Sequence, residues 1–368
     1  MLFLEQKLQI EDYWRGIILF GLNSASYKFA LAKTLLDLKS ASGQLLKLEE
    51  LAIPFSHHVA AHLKIADKQT TSKSSTFLET CREFNAGKIT KDQLIDQTVR
   101  LAFNNVIDAF HSVGRNDIGP KFFIDERKEN RGIRLTDEFS KLLESSQTAS
   151  LLSEVESRWR LVETAWELGV NRELLSIKCD VLTKEKELFV VDHAKKRKPI
   201  TSCRNALNGY QMGKCFHCFC EIHIDGPKVT AQVDHFFPHT FKKYPEFRPY
   251  VDGIWNLVLA CEACNGAKSN RIPVLKLLER LFKRNEFLID SHHPLGETIQ
   301  KHMGHSKTIR SEFLKRWYSV LPASWEQTLW SWKPIETDFI DLCRHSREDG
   351  NPSCWRYPTF SGFPPSRE

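Results

Sequence analysis

Four cysteines in the second half of the chain have the residue type and spacing of a metal site. Cys215 and Cys218 form one C-x2-C pair, and Cys261 and Cys264 form a second. Four thiolates in two such pairs are the usual ligand set of a closed, tetrahedral structural zinc site. In an intracellular protein, paired cysteines indicate metal or redox chemistry rather than disulfides. The pattern therefore predicts one structural Zn²⁺.

Two further residues near the first pair could replace one of these ligands. Cys220 and His217 both lie within a few residues of Cys218. The symmetrical assignment to two C-x2-C pairs is the simpler one, and the long gap between the pairs predicts an inserted segment of substantial size.

An Asp-His pair lies inside that insertion. Asp234 and His235 occur in VDHFFPHTF, where a proline follows three residues later. A carboxylate can hold a hard cation, and a histidine exchanges a proton near neutral pH. The same tripeptide occurs in VVDHAKKRK, at Asp192 and His193, but without a cysteine pair, the proline or a downstream asparagine at matching distance. We therefore assign the chemistry to the second copy.

Basic residues flank the cysteine pairs on both sides. The segment 193–220 has six Lys or Arg and no acid, and the segment 266–285 has six more against one Glu. A solvated surface would explain either run alone, but two runs around one metal site favour a polyanion partner. The residues expected to contact nucleic acid are Lys195, Lys196, Arg197, Lys198 and Lys268.

Composition and hydropathy patterning restrict the class of protein. The 368 residues, 41% of them hydrophobic and 27% charged, allow two or three globular domains. The start of the chain lacks the basic segment and apolar run of a secretory signal. The stretch GIILFGL is far shorter than the roughly 20 apolar residues of a membrane span. We expect a cytoplasmic protein with no membrane partner.

The pattern of apolar residues predicts an α+β protein with five segments. Residues 1–170 are expected to be mostly helical, with Thr90 as a helix N-cap, followed by a hairpin and basic linker at 171–199. Residues 200–290 contain the metal site, 291–333 form C-terminal helices, and 334–368 have the composition of a disordered tail.

Two shorter patterns give local expectations. Around the turn DGPK, EIHI and VTAQVDH alternate as the two strands of a hairpin. In the helical segment, His58 and His62 are four residues apart on one helical face, a spacing that can bind metal but that more often serves packing.

The segments DHFFPHTF and NLVLACEACNGAKSN together resemble the HNH nuclease superfamily, also called the ββα-metal endonucleases. The zinc-bracketed arrangement, with Asn265 directly after the fourth cysteine, is similar to a phage endonuclease that resolves branched DNA. The Asp-His-x-x-Pro opening and the later NxVLxxxxxNxxKS pattern are similar to the HNH domain of RNA-guided CRISPR nucleases. The resemblance covers about residues 200–275 and leaves the helical segment without a counterpart.

The resemblance implies a role for each matching residue. His235 would be the general base that takes a proton from the attacking water. Asp234 and Asn265 would hold a catalytic Mg²⁺ or Mn²⁺, since carboxylate and amide oxygens suit these hard cations. Asn256 would hold the loop that orients the base.

The expected function is metal-dependent hydrolysis of DNA, with double-stranded DNA as substrate. The helical N-terminal segment would select the substrate or a protein partner, and bacterial defence or restriction is the setting expected by analogy. A zinc module that binds nucleic acid without cleaving it is the main alternative. A nuclease directed at RNA is the other.

Overall fold

The computed structural model describes residues 9–20, 24–72, 74–113, 116–117, 119–167, 178–179, 187–191, 197–290, 294–319 and 330. Within them the chain combines many helices with small antiparallel sheets, which agrees with the predicted α+β class. No helix in these ranges is long and apolar enough to cross a membrane.

The helices in chain order are α1 Ile10–Phe20, α2 Tyr27–Leu38, α3 Leu48–Leu63, α4 Thr76–Asn85, α5 Lys91–Leu101, α6 Phe103–Ala109, α7 Arg127–Asn130, α8 Asp137–Glu144, α9 Thr148–Glu167, α10 Cys203–Asn208, α11 Glu262–Lys268, α12 Leu275–Asp290, α13 Pro294–Met303 and α14 Lys307–Ser319. The strands are β1 Leu45–Lys47, β2 Ser112–Val113, β3 Asn116–Asp117, β4 Phe123–Glu126, β5 Gly132–Leu135, β6 Lys178–Cys179, β7 Glu187–Val191, β8 Arg197–Ser202, β9 Ala231–His235 and β10 Leu257–Cys261.

Helices α1–α6, α8 and α9 surround a first hydrophobic core, as the apolar periodicity predicts. The ring of Trp14 packs against Phe110 and Phe122 at its centre. The hydroxyl of Thr90 accepts a hydrogen bond from the amide of Gln93 at 3.2 Å, so the predicted N-cap is confirmed. A small sheet in the order β1-β5-β4 closes one side of this core.

Helix α9 joins the first core to a second one, which contains the cysteine-rich region and helices α12–α14. Trp159 is buried in the first core and Leu161 in the second, because they point to different sides of the helix. Between them, the carboxylate of Glu154 accepts hydrogen bonds from Arg15 at 2.9 Å and from Asn208 at 2.8 Å. The predicted helical segment and the metal-site segment therefore share a buried boundary.

The predicted hairpin before the basic linker corresponds to the antiparallel pair of β6 and β7. Strand β8 adds to β7 as a third strand, which the sequence did not predict. Arg197 and Lys198 are therefore part of a strand rather than of a linker. Lys195, Lys196 and the first Asp-His pair lie outside the described residues.

The predicted pairing of EIHI with VTAQVDH is wrong, because the partner of β9 is β10. Cys261 faces Ala231 at one end of this antiparallel pair, and Leu257 faces His235 at the other. The EIHI segment meets VTAQVDH only where the turn closes, through hydrogen bonds of His223 with Thr230 and Ala231. Its other amides bond elsewhere, with Ile222 N donating to the carbonyl of Gly213 at 2.8 Å and Ile224 N donating to the hydroxyl of Ser150 in α9. The order is therefore strand, loop, strand, helix, formed by β9, β10 and α11.

Helices α12, α13 and α14 follow this unit and pack against the second core. Helices α13 and α14 agree with the helices predicted for residues 291–333, of which 291–293, 320–329 and 331–333 lie outside the described residues. The predicted tail, residues 334–368, lies outside the described residues.

Candidate metal centre and active site

Four cysteine sulfurs converge at the open end of the β9–β10 pair. The thiols of Cys215, Cys218, Cys220 and Cys261 all lie within 4.8 Å of one another. The turn that carries the first three is closed by the amide of Cys215, which donates to the carbonyl of Cys220 at 2.8 Å. Cys261 ends β10, and its amide donates to the sulfur of Cys215 at 3.3 Å. The turn at residues 215–220 and the end of β10 thus bring together cysteines that are far apart in the sequence.

The spacing of the sulfurs fits a tetrahedral metal ion. Cys218 Sγ and Cys261 Sγ are 3.8 Å apart, well beyond the length of a disulfide bond. Zinc–sulfur bonds of about 2.3 Å place the sulfurs of a tetrahedral site about 3.8 Å apart. The cluster is therefore compatible with structural zinc, as predicted from the cysteine pairs.

The membership of the cluster differs in one residue from the prediction. Cys220 is in the mutually close group, whereas the predicted fourth ligand was Cys264. Cys264 is nevertheless adjacent, since its thiol is hydrogen bonded to Cys215 and its amide donates to the sulfur of Cys261. That hydrogen bond from Cys264 lowers the pKa of Cys215 to about 4, against the effect of burial. Five thiols thus lie in or beside one site that needs four.

Asp234 lies near the end of β9 and is almost fully buried. Its two carboxylate oxygens have separate partners, with Lys268 Nζ 3.0 Å from Oδ1 and His217 Nε2 3.2 Å from Oδ2. Burial by itself would raise the pKa of Asp234, but these two partners more than offset it and lower the pKa. The carboxylate is therefore ionised and charge-balanced.

Lys268, the predicted phosphate contact, lies beneath the site rather than on its surface. Its side chain is 1% exposed, and Nζ also donates to the carbonyl of His235 at 2.7 Å. Burial lowers the pKa of this lysine, while Asp234 acts in the opposite direction. Its position indicates a link between α11 and β9.

His217, considered from sequence as a substitute cysteine ligand, is directed at Asp234 instead. The backbone on either side of its peptide bond is fixed by Arg280, whose Nη1 donates to the carbonyls of Phe216 and His217 at 2.8 and 3.0 Å. The ring of Trp330 packs against the imidazole in a T-shaped arrangement, at a ring-centroid distance of 4.7 Å. The cysteine turn therefore also supplies a partner for the acid of the Asp-His pair.

His235, the predicted base, belongs to a different hydrogen-bond network from Asp234. Its Nε2 lies 3.2 Å from Oδ1 of Asp252. The same oxygen is 3.5 Å from Nε2 of His239, and Oδ2 is 2.5 Å from Nζ of Lys242. A buried imidazole is thus held by a carboxylate that the sequence analysis did not single out.

A sequence signal for Asp252 does exist. Only two acids, Glu246 and Asp252, occur in the loop between His239 and Gly253. The chain must return past His235 to enter β10, because Leu257 pairs with His235 in the register. Of the two acids, Asp252 is the closer in sequence to β10, and it is the one that contacts His235.

Asn256 is fully buried and connects the loop before β10 to the segment that follows β9. Its Nδ2 donates to the carbonyls of Phe237 and Val251 at 3.0 and 2.8 Å, and its Oδ1 accepts from the amide of Phe237 at 2.8 Å. Every side-chain polar atom is directed at the backbone, so this residue supports the loop that carries Asp252.

Asn265 is attached to the face of β9 that carries Asp234. Its Nδ2 donates to Oε1 of Gln232 at 2.7 Å, and Gln232 shares a face of the strand with Asp234, two residues away. A carboxylate and an amide oxygen are donors that suit a hard divalent cation. Binding to Asp234 would require the ion pair with Lys268 to open, since both carboxylate oxygens have partners.

Comparison of the chain with protein-family models, with curated proteins and with solved structures finds no match.

Proposed function

We propose that this protein is a metal-dependent endonuclease of the HNH type that hydrolyses DNA. The observation that carries the proposal is the order β9, loop, β10, α11, with Asp234 and His235 at the end of the first strand and Asn265 on the helix. Hydrogen bonds from α11 to β9, through Lys268 to Asp234 and through Asn265 to Gln232, support it. They attach the helix to the strand face that bears the acid.

The chemistry would be divided between the two networks at the strand end. His235 would accept the proton of the attacking water, a role that suits an imidazole near neutral pH. Asp234 and Asn265 would hold the cation, and Mg²⁺ or Mn²⁺ would neutralise charge that develops on the phosphate and the leaving oxygen. Asn256 would keep the loop, and through it the base, in place. The zinc held by the cysteines would attach the turn that carries Cys215, Cys218 and Cys220 to the end of β10.

The remaining parts of the chain would supply recognition. The segment around Arg197 and Lys198 and the loop with Lys242 would contact phosphates, and the basic balance of the chain favours a nucleic acid partner. The helical region with α1–α9 would select double-stranded DNA or a partner protein. A cytoplasmic role in bacterial defence belongs to the same proposal.

A zinc module that binds nucleic acid without cleaving it is the second candidate function. The ion pair between Lys268 and Asp234 favours it, because the carboxylate is balanced without any cation. This candidate expects stable binding of DNA, no cleavage, and no effect of Mg²⁺ or Mn²⁺.

Nicking of supercoiled plasmid tests the proposal. The wild-type protein is incubated with plasmid and Mg²⁺, Mn²⁺ or EDTA, beside His235→Ala and Asn265→Ala. We expect cation-dependent nicking, and a rate in His235→Ala that is lower by about 10²- to 10⁴-fold, the usual contribution of general-base catalysis. His305→Ala and Asn270→Ala, which change exposed residues of the same types, serve as matched controls.

Three outcomes separate the candidate functions. Equal nicking by wild type and His235→Ala would contradict the assignment of the base. Retention of plasmid in a gel-shift assay without any cleavage would favour the non-cleaving module. A parallel incubation with structured RNA distinguishes a nuclease directed at RNA, which would cleave the RNA and spare the plasmid.

A further inference from the structure

Asp252 is placed where it can control the orientation of one imidazole. It lies in the turn that returns the chain to β10, and Oδ1 is 3.2 Å from Nε2 of His235. The histidine side chain is 11% exposed and the carboxylate 28%, so His235 lies on the protein side of the contact and Asp252 nearer to solvent.

The carboxylate is itself held from several directions. Lys242 Nζ lies 2.5 Å from Oδ2, and Nε2 of His239 lies 3.5 Å from Oδ1. Burial alone would raise the pKa of Asp252, but hydrogen bonds from His235 and Lys242 outweigh it and lower the pKa. Asn256 fixes the loop through the carbonyl of Val251, the residue before Asp252.

An ionised carboxylate that accepts from Nε2 selects one tautomer of the ring. Because Nε2 then carries the hydrogen, Nδ1 has the free lone pair and is the atom that can take a proton. The same contact also fixes the orientation of the ring, as the carboxylate of a Ser-His-Asp triad does. Both effects act through His235, without contact between Asp252 and the substrate.

We propose that Asp252 is the positioning residue of the base, setting the Nε2–H tautomer of His235. The inference rests on the proposed function for its effect on rate, but the tautomer is a property of the protein alone. His239 shares the same oxygen and is 49% exposed, so it is the less enclosed of the two imidazoles. The shorter distance and the greater burial favour His235 as the ring that Asp252 controls.

The tautomer is tested first, on the full-length zinc-loaded protein. Ring ¹⁵N shifts of His235 are recorded by NMR in wild type and in Asp252→Asn, and are assigned with His235→Gln. We expect a protonated Nε2 and an unprotonated Nδ1 in the wild type, and loss of this preference in Asp252→Asn. A wild-type ring protonated at Nδ1 would overturn the inference, whether or not the protein cleaves DNA.

Kinetics give the second test, with Asp252→Asn, Asp252→Glu and the control Glu246→Gln, which removes a charge from an exposed residue of the same loop. We expect kcat to fall by up to about 10⁴-fold in Asp252→Asn, the cost of replacing the orienting carboxylate of a base histidine by its amide. KM, zinc content and the thermal unfolding midpoint should stay near the wild-type values. Asp252→Glu should recover part of the rate.

The outcomes separate the two proposals. A wild-type protein without nuclease activity but with the expected tautomer contradicts the proposed function and leaves the orienting contact established. An active wild type whose kcat is unchanged in Asp252→Asn contradicts the positioning role. A fall in kcat accompanied by an equal fall in Glu246→Gln would assign the effect to loop charge and would also contradict it.

Discussion

Lys268 of α11 is bound to Asp234 of β9 by a buried ion pair of 3.0 Å, and the same ammonium donates to the carbonyl of His235 at 2.7 Å. One side chain thus ties the helix to both residues of the Asp-His pair. The charge of Asp234 is balanced inside the protein, and the backbone of His235 is fixed by the same ammonium.

Removal of the ammonium should be strongly destabilising. In Lys268→Met the carboxylate of Asp234 keeps His217 but loses its charged partner in a buried setting. Breaking one side of a buried pair typically costs about 3–5 kcal/mol. We expect a fall of that size in the free energy of unfolding, measured with urea. Lys276→Met, at an exposed position of α12, should change it by about 0.5 kcal/mol or less. A similar small change in Lys268→Met would contradict the prediction.

Zinc content should respond unequally to the five cysteines. Cys218→Ser and Cys261→Ser each remove a sulfur at the 3.8 Å spacing, and we expect both to lose the metal. Cys220→Ser and Cys264→Ser should each retain about one zinc per chain, because either sulfur can supply the fourth ligand. The double variant should lose it. Metal analysis of the purified proteins measures this, with Cys81→Ser in the first core as the control. Loss of zinc in Cys264→Ser alone would assign that residue as the obligatory fourth ligand.

Asn256→Ala should destabilise the loop that carries Asp252. The substitution leaves the amide and carbonyl of Phe237 and the carbonyl of Val251 without their side-chain partner. Each buried polar group that loses its partner costs about 1–3 kcal/mol. We therefore expect a decrease of about 3 kcal/mol or more in the free energy of unfolding in urea. Asn270→Ala, at an exposed position, is the matched control. Equal stability of the two variants would contradict a stabilising role for the hydrogen bonds of Asn256.

The stability of the N-terminal helical region should depend on pH through His62. Its ring stacks on Trp159 at 3.5 Å, with Nδ1 2.7 Å from Glu163 and Nε2 3.2 Å from Glu156. Burial lowers the pKa of His62, but the two carboxylates more than offset it and raise the pKa above 6.5. The contribution of His62 is therefore fully present below pH 6.5 and is lost as the pH rises through the folded pKa.

Glu156, the acid in the same network, has a pKa shift in the opposite direction, so its contribution to stability depends on pH in the opposite way. Burial would raise the pKa of Glu156, yet hydrogen bonding and charge from His62 and Lys33 lower it to about 2. Its contribution is present above pH 4.5, the ordinary value, and disappears as the pH falls towards 2. The network should thus stabilise most between pH 4.5 and 6.5.

Unfolding midpoints of wild type and His62→Gln at about pH 5.5 and about pH 8.5 measure this dependence. The difference between the two proteins should be larger at the lower pH. His57→Gln, at an exposed neighbouring position of α3, should follow the wild type at both. A difference that grows as the pH rises would contradict the assigned direction of the His62 shift.

Local patterns in the sequence were sufficient for several features of this protein. The cysteine spacing predicted a metal cluster, and three of its four members were identified. Apolar periodicity predicted the helices of the first core, and Thr90 was found as an N-cap from its residue type. These features depend on residues close together in the chain, where the geometry is fixed by helical repeat, capping and turn chemistry.

The pairing of strands that are distant in the chain could not be predicted from the sequence. EIHI alternates as a strand should, but only His223 bonds to the segment that contains β9, at Thr230 and Ala231, while β9 itself pairs with β10 across a loop. Strand alternation specifies a face and not a partner, because the partner is chosen by the burial of both strands. Cys220 entered the metal cluster for a similar reason, since the turn that follows Cys218 directs its sulfur back into the group.

The sequence by itself determined that an acid, a base, two asparagines and a set of thiols lie within one segment. Only the tertiary structure decided that Lys268 and His217 hold Asp234, while Asp252 holds His235. Adjacent residues on a strand point to opposite faces, so two neighbours in sequence meet different surroundings. Which charges lie on each face depends on how α11 and the loop before β10 fold over the strand, and that is fixed by packing rather than by spacing along the chain.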